Sequence, residues 1–395
     1  MTSKNVDHIV RIAQAIHGPS PVPLHRPIFD GNERRYLVEC IDSNFVSSVG
    51  ARVNEFERQV ADFMGMKHGI ATVNGTAALH VALRLAGASQ GEEVITQAVT
   101  FIATCNALSY IGAKPVFVDV DIDTMGMSPE ALRSWLHAHA ERVAGGVRNR
   151  ATGRRIAACV PMHTFGHPCR IEAISEICDE WGIPLVEDAA ESLGSWSGER
   201  HTGRFGRMAA LSFNGNKLIT TGGGGALITH SAELAQRARH LSTTAKLPHP
   251  WAFEHDAVGW NDRLPNLNAA LGVAQLEDLP RRLNAKRQLA QRYGQAFAGL
   301  ESVELLAEPQ GCRSNHWLVT LRFLAEDPAA AEAQRLQVLE AAHAERLLLR
   351  PVWRLLHQLP MYAEAPRGAL AVAEAQACRL LNLPSSPQLI PGWCL

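Results

Sequence analysis

One lysine, Lys217, stands in a polar segment between the apolar runs ALSF and ALIT, and four consecutive glycines, 222–225, follow it. The chain has only six lysines in 395 residues, so solubility is a poor explanation for this one. A lysine amine can form a Schiff base with an aldehyde cofactor, and glycines allow a cofactor or another chain to approach closely. The alternative is a solvated loop lysine, and this stretch by itself leaves both interpretations open.

The segment 71–80, ATVNGTAALH, predicts a loop that opens directly into a helix. The first amides of a helix have no partner inside it, so those of Gly75, Thr76 and Ala77 could bind a phosphate. The hydroxyls of Thr76 and Ser212 are further candidate donors. An ordinary N-cap at Asn74 or Thr76 is the alternative interpretation.

An acid and an aromatic residue extend this set. Asp188, in VEDAAES, ends an apolar strand, where an unpaired carboxylate is costly. It therefore needs a partner such as a protonated pyridine nitrogen. Phe101, in AVTFIATCNA, follows a strand and could stack on a planar ring. A helix-capping Asp188 and a core Phe101 stay open, but one ligand, pyridoxal phosphate, would account for the amine, the phosphate site, the acid and the aromatic face.

From about residue 55, alternating helix-like and strand-like segments must position these residues. Strands such as IPLVEDAA and MAALSF are apolar throughout, which indicates a mostly parallel sheet covered by helices on both faces. Ligands bind beyond the carboxyl ends of strands in such sheets. That rule selects Asp188 and Glu191, the segment from Asn214 to Lys217, and His163.

The sequence predicts two domains. A large α/β domain over 1–250 precedes a smaller α+β domain over 251–395, where a long helical stretch with a proline break leads to a strand in HWLVTLRF. Within the large domain, 128–145 is predicted as a helix with Ser128 as its N-cap. The following segment, 144–155, is predicted as an exposed loop.

Composition excludes several classes of protein. Apolar residues make up 46 %, charged residues 19 %, and the net charge is −1 without a basic stripe, which argues against nucleic acid and anionic membrane as partners. The absence of a long apolar run and of a signal-peptide core predicts a cytoplasmic protein. Eight cysteines without a CxxC pair argue against a disulfide framework. His163, His167 and Cys169 lie close together, but a fourth ligand is not apparent, so we predict no metal.

Nearly the whole chain, from about residue 22 to LPSSP at 383–387, resembles the DegT/DnrJ/EryC1/StrS family of sugar-nucleotide aminotransferases. The motifs that carry the resemblance are NGTAALHVAL, EEVITQAVTFIATCNA, VEDAAESLGS, SFNGNKLITTGGGGALIT, GWNDRLPNLNAALGVAQLE and RPVW. The resemblance implies fold type I, an α/β domain with a mostly parallel seven-stranded sheet and a smaller C-terminal domain. Segment 23–50, SFNGNK and RPVW are most similar to the branch that aminates C4 of 4-keto-6-deoxy-2-acetamido sugars, which includes legionaminic-acid and bacillosamine-type enzymes.

Roles follow from the resemblance. Lys217 would form the Schiff base and later move a proton, and Asp188 would pair with the pyridine nitrogen. Asn261 matches an asparagine that reaches the phosphate in the partner subunit, which implies a homodimer with shared sites. Glu191 stands where many members have Gln or His; an ionised carboxylate there would repel the cofactor's phenolate, so Glu191 is either protonated or turned elsewhere. The implied cofactor-binding residues are Gly75, Thr76, Ala77, Phe101, Asp188, Glu191, Ser212, Asn214, Lys217 and Asn261.

The implied reaction transfers an amino group from L-glutamate to C4 of a nucleotide-linked 4-keto sugar for surface-glycan or nonulosonic-acid synthesis, with UDP favoured over GDP as carrier. Two alternatives are a sugar dehydratase and a pyridoxal-phosphate-binding regulator without turnover. Deoxygenating relatives have His in place of the lysine, which Lys217 argues against, and nothing in the sequence favours the regulator. The candidate substrate contacts, each with a structural role as its alternative, are Ser47, Ser48, His163, Arg263, Arg350 and Trp353.

Overall fold

The computed structural model describes residues 3–18 and 21–387. The helices are α1 (Ser3–His17), α2 (Glu33–Asp42), α3 (Ala51–Met64), α4 (Gly75–Leu85), α5 (Ala103–Ile111), α6 (Pro129–His139), α7 (Ile171–Trp181), α8 (Ala232–Ser242), α9 (Asn266–Glu277), α10 (Leu279–Phe297), α11 (Pro328–Ala344) and α12 (Ala371–Ala377). Short 3-10 turns lie at Thr164–Gly166, Leu356–Gln358 and Pro360–Tyr362.

The strands are β1 (His68–Thr72), β2 (Glu93–Gln97), β3 (Lys114–Val118), β4 (Ala140–Val143), β5 (Gly146–Asn149), β6 (Arg155–Val160), β7 (Val186–Asp188), β8 (Trp196–Ser197), β9 (Arg200–His201), β10 (Met208–Ser212), β11 (Gly225–Thr229), β12 (Val303–Leu305), β13 (Cys312–Arg313), β14 (Thr320–Phe323), β15 (Arg350–Pro351) and β16 (Leu380–Asn382). They form one large sheet and two smaller antiparallel ones.

The large sheet runs in the order β1-β11-β10-β7-β6-β2-β3. β7 pairs with β10 in parallel, β2 pairs in parallel with β3 and β6, and parallel bridges at Cys159–Leu185 and Met162–Asp188 join β6 to β7. β11 is antiparallel to both β1 and β10. The prediction of a mostly parallel α/β sheet is therefore confirmed, with one reversed strand near one edge.

Helices cover both faces of this sheet because its strands are apolar on both sides. On β11, Ile228 packs with α2, α3 and α9 on one face, while Leu227 packs with α4 and α8 on the other. This alternation is the period of two expected of a strand. Burying each such side chain contributes about 1.5–3 kcal/mol. Around β2, β3 and β6, helices α6 and α7 cover the same face as α3.

The segment predicted as the end of one helix and an exposed loop is a β-hairpin instead. Helix α6 begins after the predicted N-cap, Ser128, but ends at His139, and β4 and β5 then pair antiparallel. Gly145, with φ of +91°, makes the turn, and β5 continues the ladder onto β6. Val147 is buried in the core. Its burial stabilises a strand in a segment whose polar composition predicts a loop.

The second sheet, β12-β14-β16-β15, is antiparallel and packs with α10, α11 and α1 in a separate apolar cluster. Its presence agrees with a smaller α+β C-terminal unit. Helix α1 packs on this unit, whereas α9 lies in the core of the large one. The boundary at residue 250 stays a prediction.

Within the described ranges, no helix is both long enough and apolar enough to cross a membrane. The cytoplasmic location also stays a prediction.

Candidate active site

A cleft of about 250 Å³ lies beyond the carboxyl ends of β7 and β10, where the parallel-sheet rule placed a ligand. Three larger surface clefts, of about 750, 720 and 320 Å³, contain neither Lys217 nor Asp188. The smaller cleft is the candidate active site, because it contains the amine and the carboxylate that the predicted reaction requires. The residues that line it are Asn74, Gly75, Thr76, Leu79, Phe101, Ala103, Met162, Asp188, Ala190, Glu191, Ser212, Asn214, Asn216, Lys217, Trp317, Arg350 and Trp353.

One end of the cleft is the amino terminus of α4. Asn74 is the N-cap, and its side chain accepts the Ala77 N–H at 2.8 Å. The amide of Ala77 therefore has a partner in this chain, and its role in phosphate binding stays a prediction. The amides of Gly75 and Thr76 make no hydrogen bond with the described part of the chain. Since such amides bind anions, capping by Asn74 and phosphate binding are compatible.

Glycines bring this terminus close to β10 and β11. A Cβ atom on Gly75 would lie 2.8 Å from the Ser212 Cβ, and one on Gly225 would lie 2.4 Å from the Asn74 backbone. A side chain at either position would separate the helix terminus from the strands. The glycine run after Lys217 is thus explained in part by the packing of β11 against the loop before α4.

Asp188 lies at the end of β7 and is almost fully buried. Its Oδ2 accepts the Thr104 hydroxyl at 2.7 Å, and its Oδ1 accepts the Ala190 N–H at 3.2 Å. Burial raises the pKa of Asp188, and the hydrogen bond from Thr104 opposes that rise. A protonated ring nitrogen beside this carboxylate would supply the cationic partner that its burial calls for.

Lys217 points into the cleft, so the interpretation as a solvated loop lysine is wrong. Its Nζ lies 3.3 Å from Glu191 Oε1 and 4.0 Å from the centre of the Trp317 ring. Its side chain is 13 % exposed, which leaves the amine accessible only from the cleft. The amine is thus placed where an aldehyde held by α4 and Asp188 could reach it.

Glu191 is buried and turns toward the lysine. Its second oxygen, Oε2, accepts the N–H of Phe165 at 2.9 Å, and Phe165 adopts a left-handed φ of 60°. Burial raises the pKa of Glu191, while the charge of Lys217 lowers it. Its raised pKa suits the first alternative drawn from the sequence, and its orientation toward Lys217 keeps it in the cleft, so the role of Glu191 stays open.

Aromatic rings form one wall. Phe101 is 47 % exposed and lines the cleft, so its interpretation as a core residue is wrong. Trp353 lies 6.0 Å from Phe101 between ring centres and stacks on Phe165 at 5.6 Å. An exposed ring at the mouth of a polar cleft is available for stacking on a planar ligand.

Trp317 and Lys286 support the lysine and had no part in the sequence prediction. The Trp317 Nε1–H donates to the Asn216 carbonyl at 2.8 Å, and the Trp317 carbonyl accepts from Lys286 Nζ at 2.8 Å. Lys286 also donates to the Ser385 carbonyl and is completely buried. The sequence holds no signal for this chain of contacts, because Trp317 reads as one apolar residue of a strand; β14 begins three residues later.

His163, a predicted substrate contact, lies outside the cleft and is fully buried. Its ring lies between the Glu187 carboxylate, 3.1 Å from Nε2, and the Cys169 N–H, 3.3 Å from Nδ1. Met162 forms a parallel bridge with Asp188. Because side chains alternate between the faces of a sheet, His163 then points to the face opposite Met162. His163 therefore supports β7 from behind and does not face the cleft of this chain, and its assignment to substrate binding stays a prediction.

Four other predicted residues also lie outside this cleft. Ser48 and Arg263 line the separate cleft of about 720 Å³, and Ser47 contributes its carbonyl to the amide of Asn266. Asn261 is exposed and bridges to Thr243. A single chain therefore does not bring these residues to Lys217.

The groups around the cleft fit pyridoxal phosphate: free helix amides, a buried carboxylate, an exposed aromatic face and a recessed amine. With the order of the large sheet, they define a fold-type I, pyridoxal-phosphate-dependent aminotransferase. The chain belongs to the DegT/DnrJ/EryC1/StrS aminotransferase family, whose model matches residues 27–392. It is a pyridoxal-phosphate-dependent sugar aminotransferase.

Named relatives span nearly the same length. EpsN of Bacillus subtilis, which has the name of a pyridoxal phosphate-dependent aminotransferase, is 37 % identical over 87 % of this chain and 84 % of its own. GDP-perosamine synthase of Caulobacter vibrioides is 36 % identical over 91 % of each chain. The crystal structure of DesI with its TDP-sugar product superposes with a TM-score of 0.79 at 30 % identity, over 92 % of this chain and 88 % of that one.

Proposed function

We propose that this aminotransferase moves the amino group of L-glutamate to C4 of a nucleotide-linked 4-keto-6-deoxy sugar. The observation that carries the proposal is the amine of Lys217, recessed in one cleft with Asp188 and the terminus of α4. The choice of C4 and of glutamate rests on the family resemblance of the motifs.

Bound pyridoxal phosphate supplies an aldehyde to hold the amino group and a ring to delocalise negative charge. The protein's residues would hold and direct it. Gly75, Thr76 and Ser212 would bind the phosphate, and the Asp188 carboxylate would keep the ring nitrogen protonated. Lys217 would carry the cofactor and, once released, move a proton between cofactor and substrate carbon. Phe101 would stack on the ring.

The nucleotide carrier needs separate treatment. The sequence motifs favour a UDP-linked 2-acetamido sugar of the legionaminic-acid or bacillosamine type. The relatives named GDP-perosamine synthase support GDP instead, and the DesI structure was determined in the presence of its TDP-sugar product. We therefore propose a 4-keto-6-deoxy sugar on a nucleoside diphosphate, with GDP as the first carrier to test.

A homodimer with shared active sites forms part of the proposal. Asn261, Ser48 and Arg263 lie outside the cleft of their own chain, so any role in binding phosphate or sugar nucleotide needs a second copy. Large apolar side chains stand exposed on the neighbouring loop: Trp251, Phe253 and Val258. Exposed aromatic residues of this kind are typical of protein interfaces.

The decisive experiment is mass spectrometry of the products formed from L-glutamate and a panel of GDP-, UDP- and TDP-linked 4-keto-6-deoxy sugars. The expected product is a 4-amino sugar nucleotide from one carrier. Lys217→Ala is the control and should lose both turnover and the visible absorbance of the covalently held cofactor. Retention of both by this variant, or no amine from any carrier, would refute the proposal.

A non-catalytic regulator makes a different prediction. Glutamate alone should convert the visible cofactor band of an aminotransferase, whereas a regulator would leave it unchanged. A dehydratase would release a deoxygenated sugar rather than an amine, which the same mass spectra distinguish.

A further inference from the structure

Part of the cleft is polar and lies among residues to which the proposed function gives no role in holding the cofactor. Arg350 Nε and Nη2 and Trp353 Nε1 are buried from solvent and have no hydrogen-bond partner in residues 3–18 and 21–387. Both residues line the cleft. The Arg350 guanidinium carbon lies 5.6 Å from the Trp353 ring centre. Buried donors without acceptors are costly, so these three nitrogen donors call for an acceptor that the described chain does not provide.

The identity of the two arginine nitrogens specifies the shape of that acceptor. Nε and Nη2 share one edge of the planar guanidinium, where their N–H bonds run side by side. This edge matches the two oxygens of a carboxylate. The nearby carboxylate, Glu191, does not fill it, because its oxygens bind Lys217 and the Phe165 amide. Burial lowers the pKa of Arg350, as expected of a cation that lacks a close anionic partner.

We infer that Arg350, with Trp353 Nε1 beside it, binds a carboxylate of the amino donor in this cleft. The inference rests on the proposed function and adds the donor site to it. Arg350 already forms part of the wall, so a bound carboxylate would give its guanidinium the partner that it lacks. From the sequence alone, both residues are candidate contacts of the sugar nucleotide.

Connectivity of the two substrates favours the donor over the diphosphate. In an α-amino acid, a carboxylate is bonded directly to the carbon that loses its amine. In a sugar nucleotide, the width of the sugar ring separates C4 from the diphosphate. An anion site in the same small cleft as the Lys217 amine suits the shorter connection. The wall is also apolar, with Trp353 between Phe101 and Phe165, and low polarity strengthens a charge pair.

The test uses the cofactor-loaded enzyme and two probes. Calorimetry measures the Kd of 2-oxoglutarate, which has the carboxylates but needs no turnover. Rapid-mixing absorbance then follows the loss of the visible band with L-glutamate, and the regeneration of that band by the keto sugar nucleotide. Variants are Arg350→Gln, Arg350→Lys and Trp353→Phe; Arg354→Gln, an exposed arginine in the same segment, is the matched control.

Arg350→Gln should raise the Kd of 2-oxoglutarate and the half-saturating glutamate concentration about 10- to 100-fold, with little change in the sugar half-reaction. Arg350→Lys should recover part of the loss, Trp353→Phe should cost less than Arg350→Gln, and Arg354→Gln should behave as wild type. An unchanged Kd in Arg350→Gln, or an equal or larger effect on the sugar half-reaction, overturns the inference. Failure of the proposed function looks different: the wild-type band would not respond to glutamate, whatever the Kd of 2-oxoglutarate. Retention of the band and of the thermal midpoint shows that each variant is folded.

Discussion

The ammonium of Lys217 and the carboxylate of Glu191 form an ion pair, with Nζ and Oε1 3.3 Å apart, inside a cleft that solvent barely reaches. Asp188, three residues earlier in the chain, also lines this cleft. A pair that loses one partner leaves an uncompensated charge in a buried place. The charge at position 191 should therefore influence the electrostatics of whatever Lys217 holds.

Glu191→Gln tests this influence. A carboxylate stabilises a positive charge on the Lys217 nitrogen, including the nitrogen that joins it to the cofactor. Its removal should shift the pH midpoint of the visible band of the holoenzyme to lower pH by about 1 unit or more. Absorbance titration from pH 5 to 10 measures the midpoint, and Glu191→Asp should retain most of the wild-type value. An unchanged midpoint in Glu191→Gln would show that the Glu191 charge does not affect the Lys217 nitrogen.

Thr104→Val removes the hydroxyl that binds Asp188 without changing the size of the side chain. Burial already raises the pKa of Asp188 above 3.8, and Thr104 opposes this rise. An acid with a raised pKa makes the folded state lose stability as pH increases through that raised value. Thr104→Val should therefore lower the free energy of unfolding at pH 8 by about 1.5–3 kcal/mol relative to wild type. At pH 4 the decrease should be smaller.

Denaturant unfolding of the cofactor-free protein at the two pH values measures this difference. Thr100→Val is the matched control, because Thr100 shares a hydrogen bond with Thr104 at 2.7 Å but none is found with Asp188 in the described chain. An equal effect of Thr104→Val at both pH values would contradict the electrostatic explanation.

Lys286→Met removes a buried lysine that donates to the carbonyls of Trp317 and Ser385. The two carbonyls would lose their donor, so the variant should be less stable by about 2 kcal/mol or more. Burial lowers the pKa of Lys286 well below 10.5 in the folded protein. At pH values between the folded and the unfolded pKa, the unfolded chain therefore binds more protons than the folded one. As the pH rises, the wild-type protein should therefore become more stable relative to Lys286→Met.

The unfolding free energies of wild type and Lys286→Met are measured at pH 7 and at pH 9.5. The difference between the two proteins should be larger at pH 9.5. The exposed Lys114, replaced by Met, is the control and should change neither stability nor its pH dependence. A constant gap between wild type and Lys286→Met would mean that Lys286 is protonated equally in both states.

Subunit complementation tests the shared site. Lys217→Ala and Asn261→Asp should each abolish most activity, the second because a carboxylate would repel the cofactor phosphate. A heterodimer of the two variants, isolated with different affinity tags, should recover about half of the wild-type rate, since one of its two sites is intact. Recovery would fail if Asn261 served its own chain. The same heterodimer with Lys217→Ala in both subunits should stay inactive.

Local sequence determined the parts of the site that depend on neighbours along the chain. The predicted position of Asp188 follows from an apolar strand that must end in a polar residue at the sheet edge. Lys217 and the helix opening at Gly75 lie in segments whose turns are local, so their approach to one cleft follows from the parallel-sheet rule. These predictions needed only periodicity and the chemistry of each residue.

Tertiary structure alone decided which distant groups meet. His163 was assigned to the cleft by the same rule as Asp188, but a bridge between two strands turned it beneath the sheet. Trp317 reaches Lys217 from a hundred residues away, held by the buried amine of Lys286, and no pattern along the chain records that contact. The hairpin of β4 and β5 replaced a predicted loop because burial of Val147 outweighs its polar surroundings. Local propensity acts over a few residues, whereas burial and charge pairing depend on the whole packed chain.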